Sequence, residues 1–239
     1  MYRADWFVPK GVKFAFTERT GGVSQPPFDS LNLGTHVGDQ LSLVLQNRQF
    51  LLQQLSLSSE PAWLEQAHGT EVVNLDTDSN RVADASFCRT TNHTCVVMTA
   101  DCLPVLICDK AATQVAAVHA GWRGLCDGIV EKAIAQFDAS PNELCVYLGP
   151  CIGANAFEVG DEVRQRFIDK HQQTESFFIP RADKYLADLQ GIARYRTQLM
   201  GVNNIYNLPH CTFKLKDRYF SYRREPVTGR MASLIWLEK

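Results

Sequence analysis

Three segments of the 239-residue chain carry side chains able to do chemistry, each beside a glycine or at the edge of an apolar run: "EQAHGTE" with His68, "TADCLPVL" with Asp101 and Cys102, and "AAVHAGWRGL" with His119. Two imidazoles and a thiolate are the donor types that zinc takes, and three protein ligands with an open fourth position make a catalytic rather than a structural zinc site. His68, Cys102 and His119 come from separate segments, which suits ligands at strand ends and does not suit a compact finger. The same residues admit a second chemistry. Cys102 can be a nucleophilic thiolate, His119 its base and Asp101 the carboxylate that orients the imidazole. Residue types and spacing leave both open, together with the plainer alternative of a packing thiol and hydrogen-bonded core histidines.

The surrounding pattern supplies the elements that must position these groups. Residues 95–99, 104–108 and 115–119 read as three strands, so Asp101-Cys102 and His119 fall at strand ends. Residues 12–16 alternate into a turn at Gly21-Gly22, and 43–55 has helical spacing. Residues 61–75 read as two short strands around a turn at His68-Gly69. Leu125, Ile129, Ala133, Ile134 and Phe137 mark one helix face. "ELCVYLG" is a strand stopped by Gly149-Pro150. Helices are expected over 158–170 and 185–200, the latter closed by Gly201. "NNIYNL", "RYFSYRR" and "MASLIWLE" read as closing strands. Strands outnumber helices and often follow one another directly, so the expectation is one mixed α/β (α+β) domain over 1–239, not a βαβ repeat.

Composition narrows the function. Net charge is −2 with mixed signs, which argues against nucleic acid or a membrane surface as partner. No run is long enough to span a bilayer. The N-terminus, with Asp5 and no apolar core segment, does not read as a secretory signal. The expected compartment is therefore the cytoplasm. In it the eight cysteines, none in a C-x-x-C pair, are free thiols. No G-x-G-x-x-G or P-loop pattern is present. Oligomerisation stays open between a monomer and a small homo-oligomer.

Taken in order, "HGT", "TADCLPVL", "VHAGWRG", "LGPCIG", "FEVG" and "FSYRR…TGRMASLIWL" resemble the bacterial YfiH family. This is the laccase-domain family, whose members are also described as multicopper polyphenol oxidases or purine nucleoside phosphorylases. The resemblance runs from "TERTGG" nearly to the C-terminus. It implies an αββα fold, a mixed β-sandwich flanked by helices like that of cytotoxic-necrotizing-factor-type cysteine hydrolases. It implies His68, Cys102 and His119 as metal ligands, with zinc as the metal and copper as the alternative. It further implies phosphorolysis of adenosine, inosine, guanosine and methylthioadenosine, and deamination of adenosine, with purine nucleosides and phosphate as partners. A polyphenol oxidase, a thiol hydrolase and an editing factor for peptidoglycan precursors are the competing roles.

Chemistry weighs these labels unequally. A multicopper oxidase needs a blue-copper centre and a histidine-rich copper cluster. Six histidines, none in a His-x-His pair, do not supply them. Zinc suits deamination, where a carboxylate must shuttle the proton, and Asp101 is the nearest in sequence. Phosphorolysis needs cations near the ribose. Arg19, Arg123 and Arg223 are the candidates, with Arg224 the better surface ion-pair residue. Asn32 and His36, in "SLNLGTHVGD", are candidates for ribose or base, and Trp122 for an apolar wall.

Overall fold

The central strands carry almost no polar residues on either face, the pattern of a sheet covered on both sides. A computed structural model describing residues 6–238 shows what covers them. Strand β1 (Val12–Phe16) leads through a long loop to helix α1 (Leu41–Gln54). Strands β2 (Val72–Asn74), β3 (Ala85–Cys88), β4 (Thr94–Thr99), β5 (Leu103–Asp109) and β6 (Val115–Ala120) follow. Helices α2 (Trp122–Asp127) and α3 (Ile129–Ile134) precede β7 (Leu144–Leu148) and β8 (Glu158–Val159). The chain continues through α4 (Asp161–Lys170), β9 (Phe178–Arg181), β10 (Lys184–Ala187), α5 (Leu189–Leu199), β11 (Asn204–Asn207) and β12 (Met231–Leu237). Residues 1–5, on which part of the signal-peptide reading fell, and residue 239 lie outside the described residues.

Two sheets form the sandwich. One is a mixed sheet ordered β11-β7-β5-β6-β3-β2, and the other is antiparallel, β1-β12-β4. A small sheet, β8-β10-β9, stands apart. Alternate residues of each strand serve different layers. Leu103, Val105 and Ile107 of β5 pack with Leu125, Ile129 and Ile192 of the helices. Leu106 and Cys108 face Val97 and Ile235 of the other sheet. On the outer side of that sheet, Val96 and Leu234 meet Leu33 and Leu51 of the segment around α1. The order helix, sheet, sheet, helix is the αββα arrangement. Burying a leucine- or isoleucine-sized side chain stabilises by about 1.5–3 kcal/mol, so these layers supply most of the driving force.

The structure corrects several local expectations. The helical face at 125–137 is two helices, because Gly128 turns left-handed (φ 98°) between them. Helices expected from 158 and from 185 begin later, at Asp161 and Leu189. Glu158–Val159 and Lys184–Ala187 instead pair with each other. Asp188 fixes the second start, its side chain accepting a hydrogen bond from Gly191 N–H at 2.9 Å. Strand β3, four residues long, is too short for local periodicity to reveal. Only Val72–Asn74 of the segment 61–75 is a strand, with single bridges at Ala62 and Glu65. Residues 218–224 form turns rather than a strand, because their hydrogen bonds go to Asp101.

Candidate metal centre

The link from β4 to β5 crosses from one sheet to the other at one end of the sandwich, and Asp101-Cys102 is that link. His119 lies near the end of β6, directly opposite Pro104 of β5. His68 sits on the turn that approaches the same end. Cys102 Sγ and His68 Nε2 are 3.9 Å apart. The His68 and His119 rings meet edge to face with centroids 4.8 Å apart. One ligand atom from each of the three lies within 4.8 Å of the others, and among the described residues no other group of three His, Cys, Asp or Glu side chains does so. The sequence thus proposes the set and the sandwich brings it together.

The carboxylate that orients His119 is Asp84, not Asp101. Asp84 Oδ1 is 2.7 Å from His119 Nδ1, and its own carbonyl accepts from His119 N–H at 2.7 Å. The same carboxylate accepts the backbone N–H groups of Ala67 at 3.1 Å, His68 at 2.9 Å and Gly69 at 2.6 Å. One buried side chain therefore sets the imidazole tautomer, leaving Nε2 free, and holds the turn that carries His68. That turn needs holding: His68 has φ 59°, a left-handed conformation costing about 1–3 kcal/mol in a non-glycine residue. Burial pushes the Asp84 carboxyl up. Its bond to His119 and the backbone donors outweigh that and leave it below the usual carboxylate range. Asp84 immediately precedes β3, a strand that local spacing does not reveal, so no sequence pattern marks it.

Asp101 has another task. It too is left-handed (φ 94°). Its carboxylate accepts from Thr212 Oγ1 at 2.6 Å, Ser221 Oγ at 3.0 Å and Arg223 N–H at 2.7 Å. It ties the 212–223 turns over the site and makes no hydrogen bond to His119.

The electrostatics favour a thiolate at Cys102 beside an imidazolium at His119, whose Nε2 proton an incoming metal would displace. Burial raises the Cys102 thiol, but the charge and hydrogen bond of His119, with the bond from His68, bring it down to about 6. Burial lowers His119, but the neighbouring thiolate and Asp84 raise it to about 9. Gly121 leaves the three donors room. A Cβ there would stand 3.0 Å from His68 Cδ2 and 3.2 Å from Cys102 Sγ. A thiolate, two imidazoles and a carboxylate behind one of them fit a zinc-type ion.

These groups open into a cleft of about 450 Å³. His36, Trp122 and Arg223 line it, as do Met98, Phe157 and Arg230, which sequence reasoning had not marked. The other candidates lie elsewhere. Arg19 is spent on Asp29, at 3.1 Å, and on the Lys216 carbonyl. Asn32 is buried, bonded to Gly34 and Asp39 through Nδ2 and to the N–H groups of Gly34 and Arg230 through Oδ1. Arg123 is exposed and stacks over Trp122, with 4.6 Å from its guanidinium to the ring centroid. None of the three lines the cleft. Arg224 bonds to the carbonyls of Thr212, Phe213 and Tyr219. Arg230 was legible only as part of "TGRM", which says nothing of where its side chain goes.

Residues 13–238 match the family model described as multi-copper polyphenol oxidoreductase laccase. The chain is 49% identical over 234 residues to purine nucleoside phosphorylase YfiH of Escherichia coli (strain K12), covering 97% of this chain and 96% of that one. It is 45% identical over 238 residues to a purine nucleoside phosphorylase of Haemophilus influenzae, covering 98% of each. Among solved structures it is similar to a Neisseria meningitidis protein of the family model DUF152, with TM-score 0.94 and 48% identity over 99% of this chain and 98% of that one. It is also similar to YlmD of Geobacillus stearothermophilus, with TM-score 0.86 and 29% identity over 96% of this chain and 93% of that one.

Proposed function

The chain belongs to the multi-copper polyphenol oxidoreductase laccase family, that of YfiH, and on that premise we propose that it is a metal-assisted purine nucleoside phosphorylase. Its substrates are adenosine, inosine, guanosine and methylthioadenosine with phosphate, and it also deaminates adenosine. The observation that carries the reading is the convergence of His68, Cys102 and His119 at the floor of an apolar-walled cleft.

His68, Cys102 and His119 are the residues that would hold zinc, which when bound supplies Lewis-acid polarisation at the cleft floor. The chain's own groups do the rest. Asp84 keeps His119 in the ligating tautomer. Trp122, Met98 and Phe157 offer apolar surface for a flat purine. Asp101 positions the 212–223 turns and with them Arg223. In phosphorolysis a phosphate oxygen forms a bond to the ribose C1′ as the glycosidic bond breaks. The bond's electron pair leaves with the purine, and the products are ribose 1-phosphate and free base.

Copper oxidase chemistry is less well served, because one cluster of two histidines and one cysteine cannot build both a blue-copper centre and a trinuclear cluster. A second reading keeps one specific observation in its favour. Asp84, His119 and Cys102 form the order of a cysteine hydrolase triad, with the thiol drawn down to about 6.

The experiment is metal analysis of the purified protein by mass spectrometry together with chromatography of adenosine and inosine, with and without phosphate, before and after chelation. About one zinc per chain and chelator-sensitive, phosphate-dependent release of base are expected. Full activity without metal would overturn the reading in favour of the thiol enzyme.

A further inference from the structure

Arg19, Arg123 and Arg223 are the arginines whose sequence context points to phosphate. Two other arginines grip the loop that carries His36. Arg48, from α1, donates Nε and Nη2 to the Leu33 carbonyl at 3.0 and 2.9 Å. Arg230 lies along Gly34, where a Cβ would meet its Cγ at 2.8 Å. Its backbone pairs with the same loop: its N–H donates to Asn32 Oδ1 at 2.9 Å and its carbonyl accepts from Leu33 N–H at 3.1 Å. This explains why Asn32 is fully buried: it is the rivet between the loop and the residue that leads into β12. His36 and Arg230 line one wall of the cleft, and Arg48 stands behind it, its Nη2 4.0 Å from Met98, which also lines the cleft, and its guanidinium 3.9 Å over the Trp63 ring.

Among the described residues these cations have no carboxylate within ion-pair distance. Arg19, Arg89, Arg164, Arg166, Arg196 and Arg218 each have one. The protein uses only Nη1 of Arg230, on the Thr228 and Gly229 carbonyls at 3.0 Å. Nε and Nη2 of Arg230 and Nη1 of Arg48 keep free donors. Half-buried guanidinium groups without counter-ions are costly unless something else supplies the charge. The acidic groups that face them do so at a distance. Glu60 is near Arg48 but bonds to Trp63, while Asp101, Cys102 and Tyr222 are near Arg230. His36 is lowered from its ordinary range by partial burial and by both arginines.

We propose that Arg48, Arg230 and His36 form an oxyanion subsite that takes the inorganic phosphate co-substrate. The subsite rests on the phosphorylase reading for its role but not for its existence. Nε and Nη2 of Arg230 form one free fork for a phosphoryl dianion, and Nη1 of Arg48 adds a further N–H donor and positive charge. His36 adds a hydrogen bond. Phosphate held on this wall shares the cleft with His68, Cys102 and His119. Arg223, which also lines the cleft, is exposed and bonded to the Glu158 carbonyl at 2.9 Å, and is left to the nucleoside.

The test is titration of the metal-loaded full chain with inorganic phosphate, followed by ³¹P line broadening, alongside the KM for phosphate in nucleoside turnover. Arg230→Gln and Arg48→Gln are expected to weaken phosphate binding by about tenfold to a hundredfold, since each removes hydrogen bonds between charged groups. Arg19→Gln, on a paired arginine away from the cleft, should leave it unchanged. Because both arginines also hold the loop, Arg230→Lys and the melting temperature of every variant are measured in parallel. Partial recovery of phosphate affinity by Lys at unchanged melting temperature supports a charge role. Phosphate bound equally well by all variants would overturn the subsite. Arginine-dependent phosphate binding with no nucleoside turnover would keep the subsite and sink the phosphorylase reading. Phosphate-dependent nucleoside cleavage whose KM for phosphate is unchanged in the arginine variants would sink the subsite and keep the phosphorylase reading. A nucleoside 5′-monophosphate that binds more tightly than free phosphate, and is lost in the same variants, would assign the wall to a substrate's own phosphate and overturn the co-substrate role.

Discussion

Cysteine occurs in two settings in this molecule. Between the sheets, Cys88, Cys95, Cys108 and Cys145 are buried among Val97, Leu106 and Ile235. At the end of the same sandwich, Cys102 meets two imidazoles. Burial raises Cys95 well above an ordinary thiol, and the Cys145 contact together with burial drives Cys108 up as well. Cys102 suffers the same desolvation and ends at about 6, because His119 and His68 face it. The residue type is constant; the partner decides whether it packs or reacts. A strand interior offers only neighbouring backbone and apolar side chains. A strand end, where the chain passes between sheets, can be met by groups from other elements.

The contrast can be broken most severely at the ligands. His68→Ala or His119→Ala should reduce both bound metal and nucleoside turnover below detection while the fold persists, as read by mass spectrometry, chromatography and circular dichroism. Retained metal in His68→Ala would remove that residue from the site. Asp84→Asn should be milder. It keeps the shape, loses the charge behind His119 and puts an amide N–H₂ against backbone donors, so metal affinity should fall about 10- to 100-fold in a competitive chelator titration. Were the affinity unchanged, orientation of the imidazole would have to come from elsewhere.

The next test reads the two settings in one sample. In metal-free protein, iodoacetamide should label Cys102 first, as mapped by peptide mass spectrometry. The reactive form is the thiolate, which exists above the thiol's pKa. The rate should therefore hold through neutral pH, halve at about pH 6, and then fall close to tenfold for each further unit of acidity. Added zinc should protect it. Labelling of Cys95 or Cys108 at a comparable rate in folded protein would erase the distinction. The smallest effect belongs to the core. Cys108→Ala removes one buried sulfur and should cost about 1 kcal/mol in urea unfolding, with metal content and activity unchanged.

Much of this was readable beforehand. The apolar runs at β4, β5, β6, β7 and β12 announce strands buried on both faces. His68, Cys102 and His119 stand at the ends or turns of such runs. The misreadings share a cause. Lys184–Ala187 and Glu158–Val159 abut genuine helices, and local spacing does not say where pairing between them displaces the first turn. The segment 218–224 looks like a strand because its aromatics alternate. Tyr219 and Phe220 are instead buried in a turn whose polar groups go to Asp101.

The sequence by itself determined the donor types, the strand ends that carry them and the glycines that leave them room, since these follow from residue chemistry and local periodicity. Only the tertiary structure decided which carboxylate serves which group. Asp101 is adjacent to Cys102 in the chain yet is turned away to Thr212 and Ser221. Asp84 is far from His119 in the chain yet 2.7 Å from its ring. It likewise decided which arginines face the cleft, because a guanidinium sits at the end of a long side chain whose direction is set by packing from distant segments. Hydrogen bonds and charge act over a few ångströms of space, and sequence order constrains that space only within a strand or a helix.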